Sequence, residues 1–211
     1  VTNYTTCGTY TWNGTTYSTS GTYTYNALNA AGCDSLATLN LTITPCNSIL
    51  NLTCFIQGYF DGTGMLPVLA NQFEPTTPTA CDSIDVLLRD ENSPYALVDS
   101  IRTVVNQNGT ATCVFAPVSG NYYIEVKHRS AIQTWSANPI AMGATPATYN
   151  FTTASSQAYG DNMKEVAPGV WAFYSGDVVT DENMDLLDLG AVEIDITNFG
   201  SGYLATDING D

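Results

Sequence analysis

The chain has 211 residues, enough for one large domain or two small ones, and 44% of them are hydrophobic, enough for a buried core. Only 12% are charged, with 20 Asp and Glu against 5 Lys and Arg, giving a formal net charge of −15. That balance excludes a counterion-displacing nucleic-acid surface, and the one basic run, Lys127-His128-Arg129, is too short to supply one.

Residues 1–44 read as a small β module. Aromatics alternate with Thr and Ser through Thr15–Ser18 and Gly21–Tyr25, and Leu39, Leu41 and Ile43 alternate with Thr38, Asn40 and Thr42. Period two in β-branched and aromatic residues means strands, and Asn13-Gly14 is a hairpin turn. Residues 45–153 read as a β-sandwich with strands at Asn51–Tyr59, Ser83–Leu88, Leu97–Val105, Thr110–Phe115, Tyr122–His128 and Ile132–Ser136. In the fifth of these, Tyr122, Ile124 and Val126 are expected inward, with Tyr123, Glu125 and Lys127 facing water. Gln72–Ala80, with two prolines, is a loop. Residues 154–176 form a connector with a short aromatic strand, Val170–Tyr174. The expected fold is all-β: a β-repeat module plus a sandwich, with a short helical element only in the acidic segment, 177–211. No stretch of roughly eighteen apolar residues is present, so membrane insertion as a helix is not expected.

Six cysteines, at positions 7, 33, 46, 54, 81 and 113, lack any C-x-x-C or Cys/His ligand spacing, and the chain has one histidine. A disulfide framework in an oxidising compartment accounts for them better than zinc. The connectivity is open. Cys7–Cys33 is expected within the first module and Cys54–Cys113 between two strands, which leaves Cys46–Cys81.

Nine of the acidic residues fall in the last 35 positions, and no Lys or Arg follows Lys164. Asp177, Asp181, Asp185 and Asp188 occupy positions 1, 5, 9 and 12 of a twelve-residue loop, the register in which a calcium loop gathers its roughly six to eight oxygen ligands. Val179 at position 3, Glu182 at position 6 and the short Asp188 at position 12 depart from the usual pattern. The register restarts at Asp207, Asn209 and Asp211, positions 1, 3 and 5. Since Val1 also opens inside a β-like run, a longer parent chain is expected. The alternative is a solvated acidic tail, but Met184, Leu186, Leu187, Leu189, Val192, Ile194 and Ile196 interleave the acids, enough for a short amphipathic helix leaving the loop. The expected cofactor is Ca²⁺.

Several stretches resemble secreted bacterial surface proteins exported by the type IX route. TWNGTTYSTSGTYTY and NAAGCDSLATLNLTI look like the Cys-rich repeat of their giant members. NGTATCVFAPVSGNYYIEVKHRSAIQTWSANPI and AYGDNMKEVAPGVWAFYSGDV resemble regions near their C-termini, and GDVVTDENMDLLDLGAVEID and GYLATDINGD look like paired dockerin-type repeats. The resemblance implies a non-catalytic extracellular segment of a large adhesin, partnered by neighbouring repeats or other surface-protein subunits. It also implies Asp177, Asp181, Asp185 and Asp188 as side-chain ligands, with Asn183 at the backbone-carbonyl position. In that class Asp-Ser before an apolar residue is glycosylated, which implies Ser35, Ser83 and Ser100.

Catalysis has little support. A Ser/His/Asp triad would have to use His128, expected as a surface histidine without a role, and no G-x-S-x-G or phosphate loop occurs. The loop acids Asp61, Glu74, Asp90 and Glu91 carry no distinguishing pattern. An alternative role is a carbohydrate-binding accessory module of a secreted hydrolase, using Tyr10, Trp12, Tyr17, Tyr23 and Tyr25 or Trp135 as a stacking strip. The competing expectation is that these rings form a small core. Six N-x-S/T sequons, at Asn3, Asn13, Asn40, Asn51, Asn108 and Asn150, arise readily in so Thr- and Asn-rich a chain.

Overall fold

The computed structural model describes residues 1–28 and 32–211. It is an all-β protein. The N-terminal module comprises β1 (Thr2–Cys7), β2 (Tyr10–Trp12), β3 (Thr15–Tyr17), β4 (Gly21–Leu28) and β5 (Asp34–Thr44). β5 is central, parallel to β1 and antiparallel to β4, while β2 and β3 form a separate hairpin. Asn13 (φ 49°) and Gly14 (φ 80°) make its turn, which requires positive φ at both central positions. Leu39 and Leu41 are buried at alternate positions of β5, as its period predicts. The rings pair off: Tyr4 stacks on Tyr10 at 4.2 Å, Tyr17 lies 3.9 Å from Tyr23, and Trp12 meets Tyr25 edge-on at 6.2 Å. They pack in pairs instead of forming one flat strip.

The disulfide expectations are corrected. Cys7 bonds to Cys46, with Cα atoms 4.9 Å apart, which rules out both Cys7–Cys33 and Cys46–Cys81. Parallel pairing is the reason. It sets Cys7 beside Thr44 at the far end of β5, whereas Cys33 precedes Asp34 at the near end. Cys54–Cys113 is also absent, because Cys113 faces Leu50 across the ladder while Cys54 lies beyond the strand end. Cys54, Cys81 and Cys113 are buried unbridged thiols that pack as small apolar side chains.

The sandwich contains β6 (Ser48–Thr53), α1 (Val68–Asn71), β7 (Ala80–Asp90), β8 (Leu97–Asn106), β9 (Thr110–Phe115), β10 (Gly120–His128), β11 (Ala131–Trp135), β12 (Ile140–Met142) and β13 (Ala147–Asn150). One sheet runs β11-β10-β7-β8, with β12 also on β10; the facing sheet runs β13-β6-β9. Their inner faces share one core, including Leu50, Leu52, Ile84, Val86, Leu88, Ile124, Val126 and Phe115. The predicted Asn51–Tyr59 strand ends at Thr53 and turns into a short helical turn at Gln57–Tyr59. There Gly58 passes so close to the carbonyl of Ile208 that a Cβ would lie 2.0 Å from it. Glu125 also departs from expectation. It is fully buried and neutralised by Arg89 and Lys127.

β14 (Lys164–Ala167) and β15 (Val170–Ala172) form a small hairpin, and α2 (Leu186–Thr197) follows the acidic loop. Asp185 caps α2 in a reciprocal arrangement with Asp188, a capping box of carboxylates. The apolar residues expected to make α2 amphipathic are largely exposed, including Leu186, Leu187, Ile194 and Ile196. Among the described residues, no helix is long and apolar enough to cross a membrane.

Candidate functional site: the acidic loop and its polar latch

Two carboxylates close the loop that begins after Gly176. Asp177 is 1% exposed, and its two oxygens accept the backbone N–H groups of Asp181 and Glu182, both at 3.1 Å. Asp188 is also buried; its Oδ1 accepts from Val178 N at 2.8 Å and Val179 N at 3.1 Å, and its Oδ2 from Asp185 N at 2.9 Å. Burial pushes the Asp177 carboxyl above the usual range, and the Asp188 charge adds to the rise. Burial acts the same way on Asp188, but its three backbone donors outweigh it and hold that carboxyl low. Glu182 takes φ 71°, the left-handed conformation that glycine usually supplies at that turn of a calcium loop.

The other expected ligands are more open. Asp181 and Asp185 are exposed; Asp181 accepts from Asn183 N at 3.0 Å and Asp185 from Leu187 N at 2.7 Å. Asn183 is exposed, with its amide turned to the Asp181 carbonyl at 3.1 Å. Asp207 accepts from Gly210 N at 2.7 Å and Gln72 Nε2 at 3.2 Å, while Asn209 donates to Asp211 at 2.9 Å. Among the described residues, no three His, Cys, Asp or Glu side chains converge as a group able to hold a metal.

Sequence reasoning missed the residues that fasten this tail to the sandwich. Asp82, fully buried on β7, accepts from His128 Nε2 and Arg129 Nε at 3.1 Å each, from Ser83 N at 2.6 Å, and from the Tyr203 hydroxyl. Arg129 lies 4.3 Å over the Tyr203 ring and 3.8 Å from Asp207. Burial works against the Asp82 anion, but the donors from His128, Tyr203 and Arg129 lower its pKa to about 2. The tail is held farther along by Asn71, which donates to the Gly210 carbonyl at 2.8 Å. The one sequence signal was an acidic residue beside Cys81 in an apolar strand, a position costly for a charge unless it is paired.

His128, expected at the surface, is buried beneath this latch. It has to be neutral to serve there: Nε2–H donates to Asp82, and Nδ1 accepts from Ser130 N at 3.2 Å. Burial accordingly holds its pKa below the usual value. Ser130 Oγ lies 3.4 Å from the same nitrogen, but Ser130 has no exposed surface, so the trio offers no accessible nucleophile.

Of the serines implied as modification sites, Ser35 and Ser100 are exposed on β5 and β8, and Ser83 is half-buried on β7. Comparison with known protein families finds no family model that matches this chain, and comparison with curated proteins finds no significant match.

Proposed function

We propose that this chain is a non-catalytic structural or adhesive segment of an extracellular bacterial surface or fibre protein, with a calcium-stabilised C-terminal loop. The supporting observation is the loop itself. Its first and twelfth residues are buried carboxylates close enough to repel one another, and its backbone takes the left-handed turn at position six. A cation between them would offset that repulsion and keep Asp177 ionised.

Asp177 and Asp188 would hold the ion, with Asp181 and Asp185 turned inward from their exposed positions. Each carboxylate oxygen that accepts one backbone N–H keeps a further lone pair for a metal. Calcium would supply charge neutralisation and a rigid join between the tail and the sandwich. The resemblance to type IX surface proteins, with neighbouring repeats or subunits as partners, belongs to the same reading.

Thermal melting tests it. With calcium at about 100 times its dissociation constant, stabilisation is about 2.7 kcal/mol, or roughly 5–11 °C for a chain of this size. Chelation by EDTA removes that gain, and Asp177→Asn abolishes the response to calcium. Melting that is identical in calcium and EDTA rejects the calcium loop.

A further inference from the structure

Helix α2 leaves its apolar side chains in water. A helix turns about 100° per residue, so buried Asp188 and half-buried Val192 and Asp195 share the side turned to the body, and the opposite face is open. Leu186, Leu187, Leu189, Ile194, Ile196 and, just past the helix, Phe199 are 50–91% exposed. Single exposed apolar residues need no explanation, but a contiguous set marks an interaction surface.

The strip has the form of a helix-docking face. Leu187 and Ile194 make one ridge, and Leu189 and Ile196 a second, each pair seven residues apart and so nearly in line along the axis. Leu186, Gly190 and Glu193 lie between them. At Gly190 a Cβ would meet nothing within 4 Å, so a partner can approach the backbone there. Two ridges flanking such a groove receive the ridge of a second helix. The 12 residues of α2 make the strip about 18 Å long.

Charge selects the partner. Glu193 is exposed between the ridges, and its carboxylate takes part in none of the ion pairs of the described residues. Asp185 caps one end, and the last turn has no basic residue, so the C-terminal dipole is also open to a cation. A second copy of this chain fits poorly, because α2 against α2 would oppose like charges. Nor does the rest of the chain offer a basic surface: Arg89 and Lys127 pair with Glu125, Arg129 with Asp82 and Arg102 with Asp85. An anionic lipid surface is disfavoured too, since helices that lie on one carry Lys and Arg. We infer that α2 docks a basic amphipathic helix of a different protein, whose apolar face lies along the two ridges and whose Lys or Arg pairs with Glu193. This rests on the proposed role only in taking the chain as part of an assembly. It does not require calcium, because Asp185 and Asp188 cap the helix without a metal.

The test uses the intact chain, in calcium and in EDTA, with three probes: a fluorescent Leu/Lys amphipathic helical peptide, its Leu/Glu counterpart and anionic phospholipid vesicles. The Leu/Lys peptide binds at micromolar concentration, more weakly as salt rises, and slows hydrogen exchange in α2, while the Leu/Glu peptide stays free. Leu187→Ser with Ile194→Ser, both at exposed positions, weakens binding by about tenfold or more with unchanged melting. Glu193→Gln weakens it by a smaller factor, seen at low salt. No binding of the Leu/Lys peptide at roughly 100 μM, equal binding of the Leu/Glu peptide, or affinity unchanged in the double variant overturns the proposal. Dimerisation that the double variant abolishes, or vesicle binding, gives the strip to another occupant and overturns it as well. A melting response to calcium without peptide binding removes only this inference; peptide binding without that response removes only the calcium loop.

Discussion

Asp82→Asn tests the latch most directly. The substitution keeps the side chain's shape but removes the charge that faces His128 Nε2, Arg129 Nε and the Tyr203 hydroxyl. Arg129 then stays largely enclosed, its side chain 11% exposed, without its nearest counter-charge. Removing one partner of a buried ion pair costs about 3–5 kcal/mol. Titration gives a second figure. The Asp82 pKa falls from 3.8 to about 2, which at about 1.4 kcal/mol per pH unit is about 2 kcal/mol for the ionised over the neutral carboxyl. A loss of about 2–5 kcal/mol lowers the melting temperature of a chain this long by roughly 4–20 °C. The sign of the pH effect follows from the depressed pKa. Its stabilisation is complete above the unfolded value and is lost as pH falls from about 4 to about 2. Urea unfolding of wild type and variant at a series of pH values, followed by near- and far-UV circular dichroism, reads both effects. A variant within about 1 kcal/mol of wild type at pH 7, with an equal loss of stability across the acid window, refutes the latch.

Tyr203→Phe removes one donor to a buried carboxylate, worth about 1.5–3 kcal/mol, and limited proteolysis should then cut between α2 and the C-terminus sooner than in wild type. Gly58→Ala would place a methyl group 2.0 Å from the Ile208 carbonyl; it should expose the tail in hydrogen exchange while leaving the sandwich sheets protected. Reduction of Cys7–Cys46, which closes a span of 39 residues, should cost the N-terminal module about 4 kcal/mol by chain entropy, read as a lower urea midpoint in dithiothreitol. Burial raises the pKa of Cys54 and pushes Cys81 and Cys113 to about 12. Alkylation at pH 8 followed by peptide mapping should therefore label these three only after denaturation, and recovery of a Cys54–Cys113 cross-linked peptide from native protein contradicts the structure.

Local periodicity made the strands legible. Thr110–Phe115 matches β9 residue for residue, and the Asn13-Gly14 hairpin sits where its positive-φ chemistry placed it. The helix after the acidic loop was likewise written in spacing, because an apolar run behind a capping acid starts a helix locally, although its apolar side chains stay largely exposed. Tertiary structure alone decided the rest. Parallel pairing of β1 with β5 selected Cys46 for Cys7, a choice that cysteine counting cannot make because it ignores distance in space. Glu125 and His128 looked water-facing from alternation and flanking charge, yet both are buried because distant residues cover and pair with them: Arg89 with Glu125, and Asp82 of β7 with His128. A charge becomes tolerable inside a protein only when its partner arrives, and here those partners come from strands and a tail remote in sequence.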